Sequence, residues 1–190
     1  MQEVFQNLLK SHQRTFEKSF QSKDIELLEQ ISKSLLSAFK CGKKILICGN
    51  GGSAADAQHI AAEFVGRFEK ERRSLPAIAL TTDTSALTAI GNDYSFDVIF
   101  SRQVEGLGQE GDVLIAISTS GRSPNILEAV KAARAKKMHV IGFTGKDGGQ
   151  LKDLCDFVFI AKADKTSHIQ ETHIFALHAI SEAVEKVFFH

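Results

Sequence analysis

Two residues four positions apart, His59 and Glu63, have side chains that can perform acid–base or metal chemistry. On a helix, this spacing places both side chains on one face, one turn apart. An imidazole and a carboxylate held in this way can share a metal ion, or act as a base and the group that orients it. The same spacing is also typical of an exposed hydrogen-bonded pair without a catalytic role. The sequence has no HExxH or HxxxH motif, which excludes a simple helical two-histidine zinc site.

A third candidate, His178, lies in a predicted C-terminal helix that runs from about Ser167 to Phe188. Apolar neighbours suggest that its face is partly buried, so a neutral histidine with a structural hydrogen bond is an equally good interpretation. Gln170 stands eight residues earlier, roughly 80° around the helix, and both side chains can approach one site. Glu171 and Glu182 are better placed as neighbours of His178, and spacing alone does not choose among them.

Two loops rich in small polar residues are expected to bind a phosphate. The first, Gly49–Ser53, joins a predicted strand to a predicted helix, and its glycines let the backbone approach a ligand closely. We expect Ser53 to cap that helix. The second loop, Ser118–Ser123, offers three serines and a threonine beside backbone amides, with Pro124 in the first turn of the next helix. Both sequences would also serve as ordinary strand-to-helix turns.

Neither loop is a Walker A motif, because no Gly-Lys-Ser/Thr follows it. A dinucleotide site remains an alternative for the first loop, since Gly49, Gly51 and Ala54 fit the G-x-G-x-x-A spacing. That alternative requires an acidic residue at the end of the second strand, where only Asp83 is available.

Alternating strands and helices are predicted to position these residues. Short apolar runs typical of strands buried on both faces occupy residues 44–48, 77–80, 113–117, 140–143 and 157–160. Helical periodicity appears between and after them, at residues 54–64, 96–107, 126–133 and 167–188. The pattern predicts an α/β protein with a parallel sheet covered on both sides, in a single domain over residues 1–190.

Two amphipathic helices precede the first strand. The first covers residues 4–20, and the second follows Asp24, stops at Gly42 and carries an apolar stripe of Leu28, Ile31, Leu35 and Phe39. A helix outside the sheet core must cover its apolar stripe, and a partner subunit is one way to do so. We therefore expect residues 1–41 to form an oligomer contact and residues 42–190 to form the α/β core.

The bulk composition is typical of a globular protein of a reducing compartment. Lys plus Arg equals Asp plus Glu, 23 of each, which argues against a nucleic-acid-binding surface. The three cysteines, Cys41, Cys48 and Cys155, contain no CxxC pair and predict neither a disulfide framework nor a zinc ribbon. No apolar signal core and no run of ~18 apolar residues is present, so we expect a cytoplasmic protein without a membrane span.

Four segments of the chain resemble the phosphoheptose isomerase family within the SIS domain superfamily: Cys48–Glu63, Ala89–Asp93, Ser118–Asn125 and Gln170–Ile174. The Ser-Thr-Ser-Gly-x-Ser loop is common to the superfamily, and its combination with the first loop and with His59, Glu63, Gln170 and His178 is more specific. The resemblance implies a three-layer flavodoxin-like (SIS) fold with a five-stranded parallel sheet and an N-terminal helical extension. It also implies a homotetramer with active sites between subunits.

The reaction implied by this resemblance converts sedoheptulose 7-phosphate to D-glycero-D-manno-heptose 7-phosphate through an enediol, the first step of heptose synthesis for bacterial surface glycans such as lipopolysaccharide. The implied cofactor is one zinc ion per subunit, with the ligands His59, Glu63, Gln170 and His178. Glu63 and His178 are the implied acid–base residues. Substrate contacts are implied at Asn50, Gly51, Gly52, Ser53, Glu63, Asn92, Asp93, Ser118, Thr119, Ser120, Ser123 and Gln170. A non-catalytic SIS regulatory protein and an isomerase of another sugar phosphate remain as alternatives.

Overall fold

A five-stranded parallel sheet forms the centre of the computed structural model, which describes residues 1–189; the last residue of the predicted domain, His190, lies outside the described part. The strand order is β2-β1-β3-β4-β5, and every pairing is parallel. The strands are β1 (Ile45–Gly49), β2 (Ala77–Ala79), β3 (Val113–Ser118), β4 (His139–Gly145) and β5 (Phe157–Ala161). The sheet confirms the predicted α/β architecture and its five strands.

Seven α-helices surround the sheet in two layers. They are α1 (Gln2–Ser19), α2 (Ser22–Lys40), α3 (Gly52–Val65), α4 (Thr84–Asp93), α5 (Ser101–Leu107), α6 (Pro124–Ala135) and α7 (Thr166–Phe188). Successive strand residues point to opposite faces, so Ile45 and Ile47 pack with α2, α3 and α7, whereas Leu46 and Cys48 pack with α5 and α6. Burial on both faces explains why the strands are continuous apolar runs rather than alternating ones.

The second layer differs from the prediction in two places. Helix α4 was not predicted, because none of its residues is fully buried and its apolar stripe consists only of the half-buried Leu87 and Ile90. It begins where the Asp83 carboxylate accepts a hydrogen bond from the backbone N–H of Ala86 at 2.9 Å. The helix predicted over residues 96–107 is divided into a 3-10 turn, Phe96–Val98, and α5, with the buried Ile99 and Phe100 between them.

The two N-terminal helices differ in how they are covered. The expectation that a partner covers both stripes is wrong for α2, whose Ile31 and Leu35 are fully buried within this chain. The reason is that α2 packs against α7 and against the sheet, where it also contacts β5. The start of α1 is different, because Phe5 is 70% and Leu9 is 59% exposed.

Two general features of the chain bear on the sequence predictions. No helix within residues 1–189 combines the length and the apolar character needed to cross a membrane. All three cysteines have free thiols, with Cys48 buried in β1.

Candidate active site

Both small-residue loops lie at the centre of the carboxyl edge of the sheet. Strands β1 and β3 are neighbours, and β2 continues the sheet on the other side of β1, so the direction of winding changes between β1 and β3. In open α/β sheets, ligands bind at such a switch point, where the loops leaving two adjacent strands diverge. The sheet order therefore places Gly49–Ser53 and Ser118–Ser123 side by side.

The glycine loop turns into α3 earlier than expected. Gly51 has φ +56° and occupies the N-cap position, a conformation that glycine adopts without steric cost. The expectation that Ser53 caps the helix is wrong, because α3 already begins at Gly52 and Ser53 is buried inside the first turn. Its backbone N–H donates to the carbonyl of Asn50 at 3.0 Å. Gly51 and Gly52 remain exposed, so the backbone at this helix terminus is open to an anion.

An amide pair connects the two loops. Asn50 donates from Nδ2 to Oδ1 of Asn125 at 2.9 Å, and Asn125 donates back to Asn50 at 2.9 Å. Asn125 is buried in the first turn of α6, directly after the second loop. Because both bonds are made at once, the two βα loops are held at a fixed separation. The sequence alone did not predict this role for Asn125.

The second loop is closed by hydroxyl and backbone bonds. The hydroxyls of Ser118 and Ser123 lie 3.0 Å apart, and the N–H of Gly121 donates to the Ser118 carbonyl at 2.9 Å. Gly121 has φ +63° and lies so close to Gly148 that a Cβ there would meet the Gly148 carbonyl oxygen at 1.9 Å. Pro124 begins α6, as predicted. The loop is thus a rigid turn whose remaining hydroxyls, those of Thr119 and Ser120, are half-buried.

Arg122 of this loop is paired with a carboxylate from outside it. Its guanidinium forms an ion pair with Asp147, with Nη1 2.8 Å from a carboxylate oxygen, and both side chains are largely exposed. The hydrogen bond from Arg122 and the backbone N–H of Gly149 hold the pKa of Asp147 well below its usual range. The carboxylate therefore keeps its charge and occupies the Arg122 guanidinium, whose Nη1 also donates to the Ser120 carbonyl at 3.0 Å.

The acid–base candidates meet where α3 and α7 pack together. Nε2 of His178 lies 2.9 Å from Nε2 of His59, and Nε2 of His59 lies 3.1 Å from Oε1 of Glu63. The three ligand atoms lie within 4.8 Å of one another. Ligand atoms arranged around one ion at ~2.1 Å are ~3.0–3.4 Å apart, so the donor types and the two shorter separations, 2.9 and 3.1 Å, are close to those of ligands on one zinc ion.

Electrostatics favour a neutral His178. Burial lowers the pKa of His178, the neighbouring His59 lowers it further, and the Glu63 carboxylate opposes both effects. A neutral imidazole can accept a proton or bind a metal. Asp56, one turn before His59, is a further titratable group here: burial raises its pKa to about 6 against the opposing effect of His59, and its Oδ2 has no hydrogen-bond partner among the described residues.

The fourth predicted ligand, Gln170, lies at the other end of the same helix pair. A Cβ added to Gly52 would meet Gln170 Nε2 at 2.4 Å, so the amide rests directly on the glycine loop. Gln170 precedes His178 by eight residues, a rise of about 12 Å along α7. The structure brings Gln170 to the start of α3 and His178 to its middle, so α3 and α7 run parallel.

The two glutamates that spacing favoured as partners of His178 bind elsewhere. Glu171 Oε2 lies 2.9 Å from Nδ1 of His12 on α1, and Glu182 forms an ion pair with Lys186 one turn further along α7. Spacing left the choice among these residues open, and His178 pairs with His59 of α3, a direction that the α7 sequence alone does not specify.

The predicted substrate residues on α4 stand apart from this cluster within the single chain. Asn92 donates from Nδ2 to Oδ1 of Asp93 at 2.8 Å, and both residues are exposed at the end of the helix. Because α4 follows β2, at the edge of the sheet, these side chains lie on the β2 side of the loops. Asp83, which a dinucleotide site would use, is occupied as the cap of α4.

A buried carboxylate behind the cluster was not found from the sequence. Glu185 accepts hydrogen bonds from the backbone N–H groups of Phe68, Glu69 and Lys70 at 2.8–2.9 Å, and Nε of Arg72 donates to it at 2.6 Å. Arg72 also donates to the carbonyl of Glu63 at 2.7 Å. The side chains of Glu185 and Arg72 are each 2% exposed.

These contacts of Glu185 with residues 68–70 and Arg72, here called the Glu185 clamp, lie beyond the acid–base cluster along α7. The Glu185 clamp ties the segment after α3 to α7, and the Phe68 ring in that segment lies 5.8 Å from the His178 ring. One signal in the sequence marks Glu185: it lies one residue after Val184, on the apolar face that also includes Leu177 and Ile180, where a solvated charge is not expected.

Known proteins share both the sequence and the fold of this chain. The sequence pattern of the SIS domain matches residues 9–145. A phosphoheptose isomerase of a Nitratiruptor species is 54% identical over 188 residues, which is 99% of this chain and 100% of that protein. One from Campylobacter concisus is 53% identical and covers 97% of each chain. The solved structure of phosphoheptose isomerase from Neisseria gonorrhoeae has a TM-score of 0.91 at 46% identity, covering 97% of this chain and 98% of that one. The chain therefore belongs to the SIS domain family and, within it, to the phosphoheptose isomerases.

Proposed function

We propose that this chain isomerises sedoheptulose 7-phosphate to D-glycero-D-manno-heptose 7-phosphate, as its family membership implies. The observation that carries the proposal is the meeting of His59, Glu63 and His178 between α3 and α7, two helical turns from the glycine loop. The loops at the switch point would hold the phosphate, and the cluster would act at the carbonyl end. Seven residues separate Gly52 from His59, a rise of about 10 Å, which suits an extended seven-carbon sugar phosphate.

The reaction moves one proton between adjacent carbons and one between adjacent oxygens. A base removes a proton from C1, and negative charge develops on O2 as the enediol forms. A proton is then returned to C2 while the O1 hydroxyl proton is lost, which gives the aldose. Glu63 and His178 carry this work, and the lowered pKa of His178 makes its imidazole available as a proton acceptor.

The metal ligands proposed for this site are His59, Glu63, Gln170 and His178, and the proposed ion is zinc, one per subunit. Two imidazole nitrogens and one carboxylate oxygen already converge at 2.9 and 3.1 Å, which supports the assignment. A bound zinc ion would polarise the carbonyl and hydroxyl oxygens of the sugar. The contact of Gln170 with Gly52 places this amide where it can also touch the substrate.

The proposed substrate-binding residues are those that line the two loops and the end of α4. Thr119 and Ser120, the open hydroxyls of the second loop, and the exposed backbone of Gly51 and Gly52 are available to a phosphate. The full set is Asn50, Gly51, Gly52, Ser53, Glu63, Asn92, Asp93, Ser118, Thr119, Ser120, Ser123 and Gln170.

The proposed assembly is a cytoplasmic homotetramer with active sites between subunits. The exposed apolar residues at the start of α1, Phe5 and Leu9 among them, support a covering partner. Asn92 and Asp93, which stand apart from the cluster in one chain, would reach the site of a neighbouring subunit. The three free thiols are consistent with a reducing compartment.

Incubation with sedoheptulose 7-phosphate and detection of the aldose product tests the function. We expect Glu63→Gln and His178→Gln each to lower turnover by ~100-fold or more, because each removes a group that transfers or orients a proton. Glu182→Gln, on the same helix but paired with Lys186, is the control. No product from the wild-type chain, or turnover only of a shorter sugar phosphate, would show that the assignment is incorrect.

A further inference from the structure

A second group of metal-ligating side chains lies where α1 packs on the start of α7. His12 of α1 and His168 and Glu171 of α7 offer two imidazole nitrogens and one carboxylate oxygen, all within 4.8 Å of one another. The cluster has the same donor set as the His59 group. It is a separate group, because none of its ligand atoms belongs to the group that His59, Glu63 and His178 form.

The contact between His12 and Glu171 does not have the geometry of a hydrogen bond. Nδ1 of His12 lies 2.9 Å from Oε2 of Glu171, yet this buried nitrogen has no hydrogen-bond partner among the described residues. The two atoms are close, but the ring nitrogen is not directed at the oxygen. Two ligand atoms of one ion are expected to be arranged in this way, ~3 Å apart and both directed at a third point.

His168 is a buried imidazole without a polar partner. It is 5% exposed, and its ring contacts His12 edge-on with the ring centroids 5.3 Å apart. Among residues 1–189 no hydrogen bond joins its ring to another residue, and its backbone carbonyl accepts one from the Thr172 hydroxyl at 2.7 Å. The ring lines a surface cavity together with His12 and Glu171, so its nitrogens are available to a ligand there.

We propose that His12, His168 and Glu171 bind a divalent transition-metal ion. Two imidazoles and a carboxylate favour zinc, cobalt or nickel over magnesium or calcium, which prefer oxygen ligands. The cluster borders a surface cavity of about 530 Å³, which gives the ion a path of entry and water for its remaining coordination positions. The ion would join α1 to α7 across more than 150 residues of sequence.

Lys165 limits the affinity of this site. It lines the same cavity and is exposed, so its ammonium repels a cation that the single carboxylate of Glu171 attracts. We therefore expect weaker binding than at a closed four-ligand site, and we expect Lys165→Gln to tighten binding severalfold. A merely structural contact between the two helices would show no such dependence on Lys165.

Titration of the metal-free, full-length chain with Co²⁺, followed by calorimetry and by the visible absorption of bound cobalt, tests the proposal. We expect the His59→Gln variant to retain the Co²⁺ ion bound by His12, His168 and Glu171. The Glu171→Gln variant should lose this ion or bind it at least ~10-fold more weakly. His12→Gln should resemble Glu171→Gln. His168→Asn is less suitable alone, since His168 is buried and its loss can impair folding, whereas Glu171 is exposed.

A second readout follows from the position of the ion. Co²⁺ should slow amide exchange in α1 of the His59→Gln chain, because binding fixes that helix to α7. The proposal is wrong if His59→Gln binds no Co²⁺, or if His12→Gln and Glu171→Gln bind as many ions as the wild type with unchanged affinity.

Discussion

Replacing Glu185 by glutamine is expected to destabilise this protein far more than a surface charge change. The carboxylate accepts four hydrogen bonds, three from backbone N–H groups and one from Nε of Arg72. A glutamine amide retains one oxygen acceptor and turns an NH₂ donor toward the other two donors. Because the side chains of Glu185 and Arg72 are each only 2% exposed, the guanidinium would also lose its buried counter-ion. Breaking such a pair costs roughly 3–5 kcal/mol.

Urea unfolding followed by circular dichroism at pH 7 and at one fixed protein concentration measures this loss. The matched control is Glu182→Gln, nearly one turn earlier on α7, whose ion pair with Lys186 is 38–50% exposed and should contribute little to stability. The reasoning fails if Glu185→Gln and Glu182→Gln lower the free energy of unfolding equally.

The pH dependence of the same clamp gives an independent check. Burial alone raises the pKa of Glu185, but the hydrogen bonds from Lys70, Glu69, Phe68 and Arg72 outweigh burial and lower it to about 2. The unfolded chain therefore binds more protons than the folded chain as the pH falls from the ordinary glutamate pKa toward 2. The contribution of Glu185 to stability is complete at neutral pH and is lost within that acidic window. In Glu185→Gln this part of the pH dependence should be absent.

Three further predictions rest on single contacts. Burial lowers the pKa of His173 to about 4, so the wild-type free energy of unfolding should fall by up to about 3 kcal/mol between pH 6.5 and 4, as urea titrations at several pH values would show; His173→Leu should flatten that slope. Gly52→Ala places a Cβ 2.4 Å from Gln170 Nε2, and displacement of this amide should lower kcat/KM for the heptulose phosphate by ~10-fold or more with a near-wild-type melting temperature. Gly121→Ala places a Cβ 1.9 Å from the Gly148 carbonyl oxygen at φ +63°, so it should cost roughly 1–3 kcal/mol in urea unfolding and raise KM.

The sheet was predictable because each of its strands is marked by its own short run of apolar residues. Each central strand is buried on both faces, and a run such as Val113–Ile117 therefore has no polar position to confuse with a helix. Helix α4 is hard to predict for the converse reason: only Leu87 and Ile90 lie at helical spacing on its core side, both half-buried, and Asp83 marks its start. The sequence does not reveal that the helix is interrupted before α5, because the buried Ile99 and Phe100 at the interruption continue the apolar pattern.

The site was only partly predictable, because its geometry depends on how two distant helices pack. Spacing places Glu171 and Glu182 near His178 on the α7 surface, but it does not state which face of α7 meets α3. That face is chosen by the core, in which Ile169, Leu177 and Ile180 are buried against the sheet layer. This packing places His178 against α3. Glu171 lies instead beside His12, and Glu182 lies beside Lys186.

The parallel packing of α3 and α7 explains why one pair of helices can serve both ends of a long substrate. Gly52 meets Gln170 at the start of the pair, and His59 meets His178 further along it. The intervals are seven residues on α3 and eight on α7, which correspond to nearly equal rises of about 10 and 12 Å, so the helices stay in register. Glu185 then fixes the segment beyond α3 to the end of α7. The distance between the phosphate loops and the acid–base cluster is therefore set by helix geometry, with a clamp beyond the cluster, rather than by a flexible loop.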